Sequence, residues 1–341
     1  LLISRVATTS FVQESLSALG DRILRRARKL EKRALKSWLP LLPEEDRQFV
    51  EYWFPEDSQV QLASLAQALR EESPTVERAF GWTVFSSLII AKSAGASLAL
   101  DIARSRPHRR LDKPVIAPFS AWQKRIQATA RRLPFLGEGI APSPAQIVRG
   151  DARRVPLADG VVDFILTSPP YTQAIDYMRT HKFSLMWMEQ ELASLRELRG
   201  RMVGTERGLH TLDGLPKVLE ERLTRRLSEQ SKRAKVRRYL SDLGQILGEM
   251  SRILRPNGLA VVVLGPTIIN TTRTDACDIV GQLAEAHGLT LVAEEKRQLA
   301  DGRRSLPPPN SMGEANALHK RMRSEILVAL RKDVSTAQAH D

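Results

Sequence analysis

With 341 residues and a 42% hydrophobic composition, the chain can hold one to three domains, and no apolar run approaches the roughly 20 residues that cross a bilayer. Lysine and arginine outnumber aspartate and glutamate by 52 to 39; the net charge of +13 and pI near 10.2 fit a polyanionic partner. A single cysteine, Cys277, excludes a disulfide framework and points to a reducing compartment, so the expected location is the cytoplasm. No histidine stands at zinc-ligand spacing from it, so no metal is expected.

The chain opens on Leu1 rather than Met, with no signal-peptide pattern, and reads as cut from something longer. From Ser10 the pattern is helical: Val12, Leu16, Leu19, Ile23, Ala27, Leu30 and Ala34 mark one apolar stripe. The other faces carry Arg22, Arg25, Arg26, Arg28, Lys29, Lys32, Arg33 and Lys36, either a solvated face or a surface that tracks phosphates. Pro40 and Pro43 break the helix, and Tyr52-Trp53-Phe54-Pro55 reads as an aromatic loop that packs rather than stacks on bases. Helices are expected over 58–72, 75–100 and 121–133, the second started by Pro74 and buried along its apolar run. Residues 1–135 thus form an all-helical block.

The pattern then changes. Ala145–Asp151 reads as a short strand ending in Gly-Asp, and Val161–Leu166 as a buried strand after a turn at Asp159-Gly160. Helices fill much of 177–255, with a second basic cluster from Arg222 to Arg238. The stripe Leu240, Leu243, Leu247, Met250, Leu254 ends at the turn Pro256-Asn257-Gly258. Leu259–Leu264 is apolar throughout, as expected of a strand covered on both faces. A helix over 275–287 and strands over 289–295 and 324–330 follow, and 334–341 reads as a disordered tail.

The Val161–Leu166 strand runs directly into Thr167-Ser168-Pro169-Pro170-Tyr171. Two prolines fix φ and withhold two N–H donors, which leaves the local carbonyls free. The Ser168 hydroxyl and the Pro169 carbonyl can then accept hydrogen bonds from a planar amine while the Tyr171 ring stacks on its heterocycle. The alternative is a proline-rich turn whose tyrosine merely packs.

This segment resembles motif IV of the S-adenosylmethionine-dependent amino-methyltransferases, which methylate an exocyclic nitrogen of a nucleobase. Its TSPPY form is similar to that of the DNA N4-cytosine enzymes, whereas N6-adenine enzymes usually carry Asp or Asn where Ser168 stands. The resemblance spans about residues 145–332 and continues through Ala174–Tyr177, His181–Trp187 and Leu254–Gly258. It implies an α/β, partial Rossmann-like methyltransferase sheet: a catalytic half-domain over 136–333, preceded by the helical block, in which the first two strands of the usual seven are missing.

The resemblance also implies roles. Ser168, Pro169, Pro170 and Tyr171 would grip a base flipped out of duplex DNA, and Asp151 would bind the adenine amine of S-adenosylmethionine, unless it only caps a helix or a turn. Apart from the resemblance, Lys182, Arg303 and Arg304 read as phosphate contacts or else as solvated cations. Asp176 and Tyr177 would order a lid, unless Asp176 only caps the next helix. Cys277 follows Ala276 rather than a proline and reads as a small buried residue, so transfer is expected to be direct.

The family's Gly-rich cofactor turn is not recognisable anywhere in the chain, which is therefore read as a fragment that is inactive alone. Its helical block becomes an insertion that could recognise the target, and a restriction enzyme a possible partner. The alternatives are an RNA or protein-amide methyltransferase, or a nucleic-acid-binding remnant without catalysis.

Overall fold

The computed structural model describes residues 1–90, 95–100, 107–133, 145–170, 177–203, 217–225, 229–265, 267–269, 272–274, 276–299 and 324–334. The chain divides into two units, Leu1–Arg149 with Ile175–Arg199, and Gly150–Ala174 with Gly200–Asp341.

The first unit is helical. It contains α1 (Leu2–Ala7), α2 (Gln13–Leu30), α3 (Lys32–Trp38), α4 (Glu44–Trp53), α5 (Glu56–Arg70), α6 (Val76–Ile89), α7 (Pro118–Ala130), α8 (Tyr177–Leu185) and α9 (Leu192–Arg201). A two-residue hairpin, β1 (Ala99–Leu100) with β2 (His108–Arg109), sits between α6 and α7. The apolar stripe of α2 is buried as its spacing requires: Leu16, Leu19, Ile23 and Ala27 all face the core. Each large apolar side chain so buried contributes roughly 1.5–3 kcal/mol. Where α2 meets α7, the indole of Trp122 donates to the Gly20 carbonyl at 2.9 Å. A Cβ on Gly20 would lie 2.6 Å from Gln123, so glycine permits the close approach.

Two helical expectations need correction. The long N-terminal helix breaks at Glu31, whose φ of 40° ends α2 and starts α3. The helix expected over 75–100 stops at Ile89, although Thr75 caps it by accepting from the Arg78 N–H. Beyond that end the chain folds back: the Ala96 N–H donates to the Leu88 carbonyl at 2.8 Å. A Cβ on Gly95 would sit 2.5 Å from the Ile89 carbonyl, so the apolar run continues into a reversal rather than a further turn of helix.

The aromatic segment packs, as expected. Tyr52 and Trp53 lie in the last turn of α4, and Phe54 is buried just beyond it. Trp53 meets Phe183 of α8 edge-on at 5.1 Å, and Phe54 meets Trp187 at 5.2 Å. Residues 177–199 are therefore part of this core. Asp46 of α4 supports them by accepting from the Leu192 N–H at the start of α9.

The second unit is α/β. Its elements are β3 (Val162–Thr167), α10 (Lys217–Thr224), α11 (Gln230–Ile253), β4 (Leu254–Leu264), β5 (Thr267–Ile269), β6 (Thr272–Thr274), α12 (Ala276–Glu285), β7 (Leu289–Gln298) and β8 (Ser324–Lys332). The main sheet runs β3-β4-β8-β7, with β3 and β4 parallel and β8 antiparallel to both neighbours. This mixed four-stranded sheet is consistent with the expected partial Rossmann-like methyltransferase fold. The turn expected at Pro256-Asn257-Gly258 is instead an irregularity inside β4, where Val162 faces Leu254 but Phe164 faces Leu259; Asn257 takes a positive φ of 62° there, and a Cβ on Gly258 would lie 2.8 Å from the Arg255 carbonyl. Cys277 is buried in α12.

Among the described residues of this unit, helices cover one face of the sheet, which corrects the expectations of a buried strand at β3 and of two covered faces at β4. Ala260, Val262 and Leu264 are buried with Val328 and Leu330 of β8 against α11 and α12. Leu259 on the opposite face is 42% exposed, and Phe164 and Leu166 of β3 are 53% and 67% exposed. A continuous apolar strand signals two apolar faces; it does not supply a layer for each. Along the outer edge of β3, no strand pairs among the described residues.

Candidate functional site

The candidate site grows from the carboxyl end of β3. Parallel pairing sets Ile165 opposite Ala260 and Thr167 opposite Val262. Val162 and Ile165 pack against the buried core, which fixes the register, because a slip of one residue would exchange the two faces. Beyond Thr167 the chain leaves the sheet. Ser168 is exposed, Pro169 buried and Pro170 half-buried. The buried pyrrolidine anchors the turn, and neither proline can donate a backbone hydrogen bond. Ser168 is engaged by an interaction within the chain. Tyr171 and Asp176 lie outside the described residues, as do Arg303 and Arg304.

The approach to β3 is clamped by two residues that sequence reasoning missed. Arg252, at the end of α11, donates to the Val155 and Leu157 carbonyls at 3.0 and 2.9 Å and pairs with Asp159. Glu249 accepts from the Val155 N–H at 2.8 Å and also pairs with Arg252. The hydrogen bond from Arg252 holds the Glu249 carboxyl below its ordinary value, and the reciprocal bond raises the Arg252 guanidinium. Gly160, at a φ of 65°, completes the bend by donating to the Arg252 carbonyl. The sole signal in the sequence is an acid and a base three residues apart on one helix face.

Asp151 is not at a strand end. The strand expected over Ala145–Asp151 does not form: 145–150 carries no regular structure, and Val148 is 65% exposed. A short apolar segment makes a strand only when an edge pairs with it, and none does so among the described residues. Asp151 instead forms an isolated bridge with Arg154 and turns its carboxylate onto Arg153. It accepts from the Arg153 backbone N–H at 2.9 Å, from Nε at 3.0 Å and from Nη2 at 2.7 Å.

Arg153 is gripped from the other side by Asp242 of α11, fully buried, at 2.8 Å, and donates to the Arg201 carbonyl. The bond to Asp151 leads in holding this guanidinium above its ordinary value. The Asp151 side chain stays 48% exposed, so an oriented carboxylate faces solvent.

Lys182 belongs to the helical unit. Its ammonium lies 5.2 Å from the Phe49 ring centre and 5.7 Å from that of Phe183, so the charge is spent on an aromatic cluster. Among the described residues no group of His, Cys, Asp or Glu could hold a metal ion, and no helix is long and apolar enough to cross a membrane. Nor is any strand followed there by a glycine-rich turn. Of the expected cofactor contacts, Asp151 is thus found in a turn rather than at a strand end.

No protein-family model matches the chain, and no curated protein does. Among solved structures it is similar to a proposed DNA modification methylase of Thermus thermophilus, at 15% identity and a TM-score of 0.26. The match covers 54% of this chain and 51% of that one, so it spans about half the length of that protein. A likeness of this size assigns no function.

Proposed function

We propose that this chain is the base-binding part of a DNA amino-methyltransferase, acting on cytosine N4 in preference to adenine N6. The observation that carries the reading is the Ser-Pro-Pro turn at the carboxyl end of a strand paired in parallel, the edge where open α/β sheets bind ligands. Ser168 reaches solvent there while Pro169 anchors the turn in the interior.

The amine nitrogen of cytosine is conjugated and weakly nucleophilic. Acceptors from the Ser168 hydroxyl and the Pro169 carbonyl would bind its two N–H groups, localise the lone pair and aim it. Tyr171 would hold the flipped ring face to face, extrusion costing a few kcal/mol. S-adenosylmethionine supplies the methyl group. Asp151, oriented by Arg153, would accept from its adenine amine. The rest of that cradle would come from a further strand laid along the open edge of β3, where exposed Val161, Phe164 and Leu166 support such an addition. A cytoplasmic setting and a restriction enzyme as partner accompany this reading, with target recognition assigned to the helical unit.

The test is methyl transfer to duplex DNA by a version extended upstream with its cofactor turn. Ser168→Ala is expected to cut the rate by about 10²–10³-fold, as loss of one preorganised hydrogen-bonding group commonly does, and Tyr171→Ala by about 10–100-fold, the size of one lost base–aromatic stack, with unfolding curves unchanged. Full activity in either variant rejects the assigned roles. A rate retained on RNA but not on DNA would favour the RNA alternative.

A further inference from the structure

We infer that the end of α2 and the whole of α3 form a ridge that contacts the phosphates of duplex DNA, through Arg25, Arg28, Lys29, Lys32, Arg33 and Lys36. The eight cations of this segment fall into two groups. Arg22 and Arg26 are neutralised by Glu72, at 3.1 and 3.0 Å, and belong to the packing of α2 beside the end of α5. The other six are all exposed and have no ion-pair or hydrogen-bond partner among the described residues. Between Arg25 and Lys36 the sequence holds one acid, Glu31.

The placement is unfavourable for the fold itself. Arg25, Arg28 and Lys29 stand at i, i+3 and i+4 on α2, opposite buried Ile23 and Ala27, and like charges at that spacing repel. Lys32 and Arg33 occupy the first turn of α3, which contains no acid, so they face the positive end of a helix dipole. Arg28 and Lys29 in the last turn of α2, and Lys36 in the last turn of α3, complement a dipole; Arg25, Lys32 and Arg33 do not. An external polyanion would relieve all of these repulsions together.

Duplex DNA fits better than an anionic membrane. Membrane-surface helices present an apolar face beside their cations, whereas here Leu24, Leu30 and Leu35 pack against the core and Ala27 and Ala34 are buried in it. The second basic cluster is a weaker candidate, because Arg233, Lys235, Arg237 and Arg238 of α11 are all engaged within the chain.

This inference rests on duplex DNA being the substrate, yet duplex binding is read without methyl transfer, so either idea can fail alone. The experiment titrates the 341-residue chain with a 24-base-pair duplex across a salt series, by fluorescence anisotropy. Each phosphate contact contributes about 0.9 to the slope of log affinity against log salt. Replacing all six cations by Gln is expected to lower that slope by about 3 or more. The control pair Arg131→Gln/Arg132→Gln on the same unit should leave it within about 1 of the wild type.

Should the sixfold variant not fold, the triads Arg25/Arg28/Lys29→Gln and Lys32/Arg33/Lys36→Gln are measured separately, each expected to lower the slope by about 2. A slope unchanged from the control overturns the inference. Binding to phosphatidylserine vesicles but not to the duplex overturns it equally.

Discussion

The two units solve the same problem to different degrees. In the helical unit the large side chains are enclosed: Trp38, Phe54, Phe183 and Trp187 meet one another from four segments, and Phe183 and Trp187 have no exposed surface. In the sheet unit one face is enclosed and the other leaves Phe164 and Leu166 more than half exposed, beside an edge of β3 along which no strand pairs among the described residues. Apolar surface left in water forfeits the main favourable term of folding. The contrast separates a core that its own residues close from a sheet that has room for another layer, adjoining the turn at which the proposed chemistry occurs.

The largest effect expected from that contrast is on the closed side. Trp187→Ala removes a fully buried indole and should destabilise the helical unit by about 3–5 kcal/mol in urea unfolding. Leu166→Thr, on the open face, should shift stability by less than about 0.5 kcal/mol, as surface changes do. A comparable loss at both positions would mean that the second face is already covered in solution. Repeating Leu166→Thr in an upstream-extended version sharpens the comparison, because its cost should rise if the added strand buries that face.

A smaller effect comes from one half-buried imidazole in each unit. Burial pushes His181 of α8 and His287, packed beside Gly248, below the ordinary value of 6.5. In both cases the unfolded chain binds the proton more readily than the folded one. Their contribution to stability is therefore complete above about pH 6.5 and declines as pH falls through and below it. Urea midpoints at about pH 7.5 and 5.5, on either side of that value, should show this loss, and His181→Gln should reduce it for the helical unit alone. A midpoint that rises on acidification would contradict the burial argument.

What the sequence makes legible is local. The apolar run before Thr167 identifies β3, and the stripe of α11 follows from its spacing, although the turn read at Pro256–Gly258 is an irregular part of β4. What it hides depends on residues far along the chain. Ala145–Asp151 has a strand-like pattern, yet no edge pairs with it, so Asp151 ends in a turn held by Arg153 and buried Asp242. The end of α6 is set by the close approach of Gly95, which no helical pattern reports. The family resemblance places His181–Trp187 in the catalytic half, but its aromatic side chains complete a core begun at Trp38 and Phe49. Of the candidate site residues, Ser168, Pro169, Pro170 and Asp151 belong to the same unit, and Lys182 belongs to the other.

The most direct test of the central claim is the chemical identity of the product. Duplex DNA treated with the upstream-extended protein and labelled S-adenosylmethionine would be digested to nucleosides and analysed by mass spectrometry. Label on N4-methylcytosine, lost in Ser168→Ala, is the predicted result. Label on carbon 5 of cytosine, or an amount of N4-methylcytosine indifferent to Ser168, would contradict it.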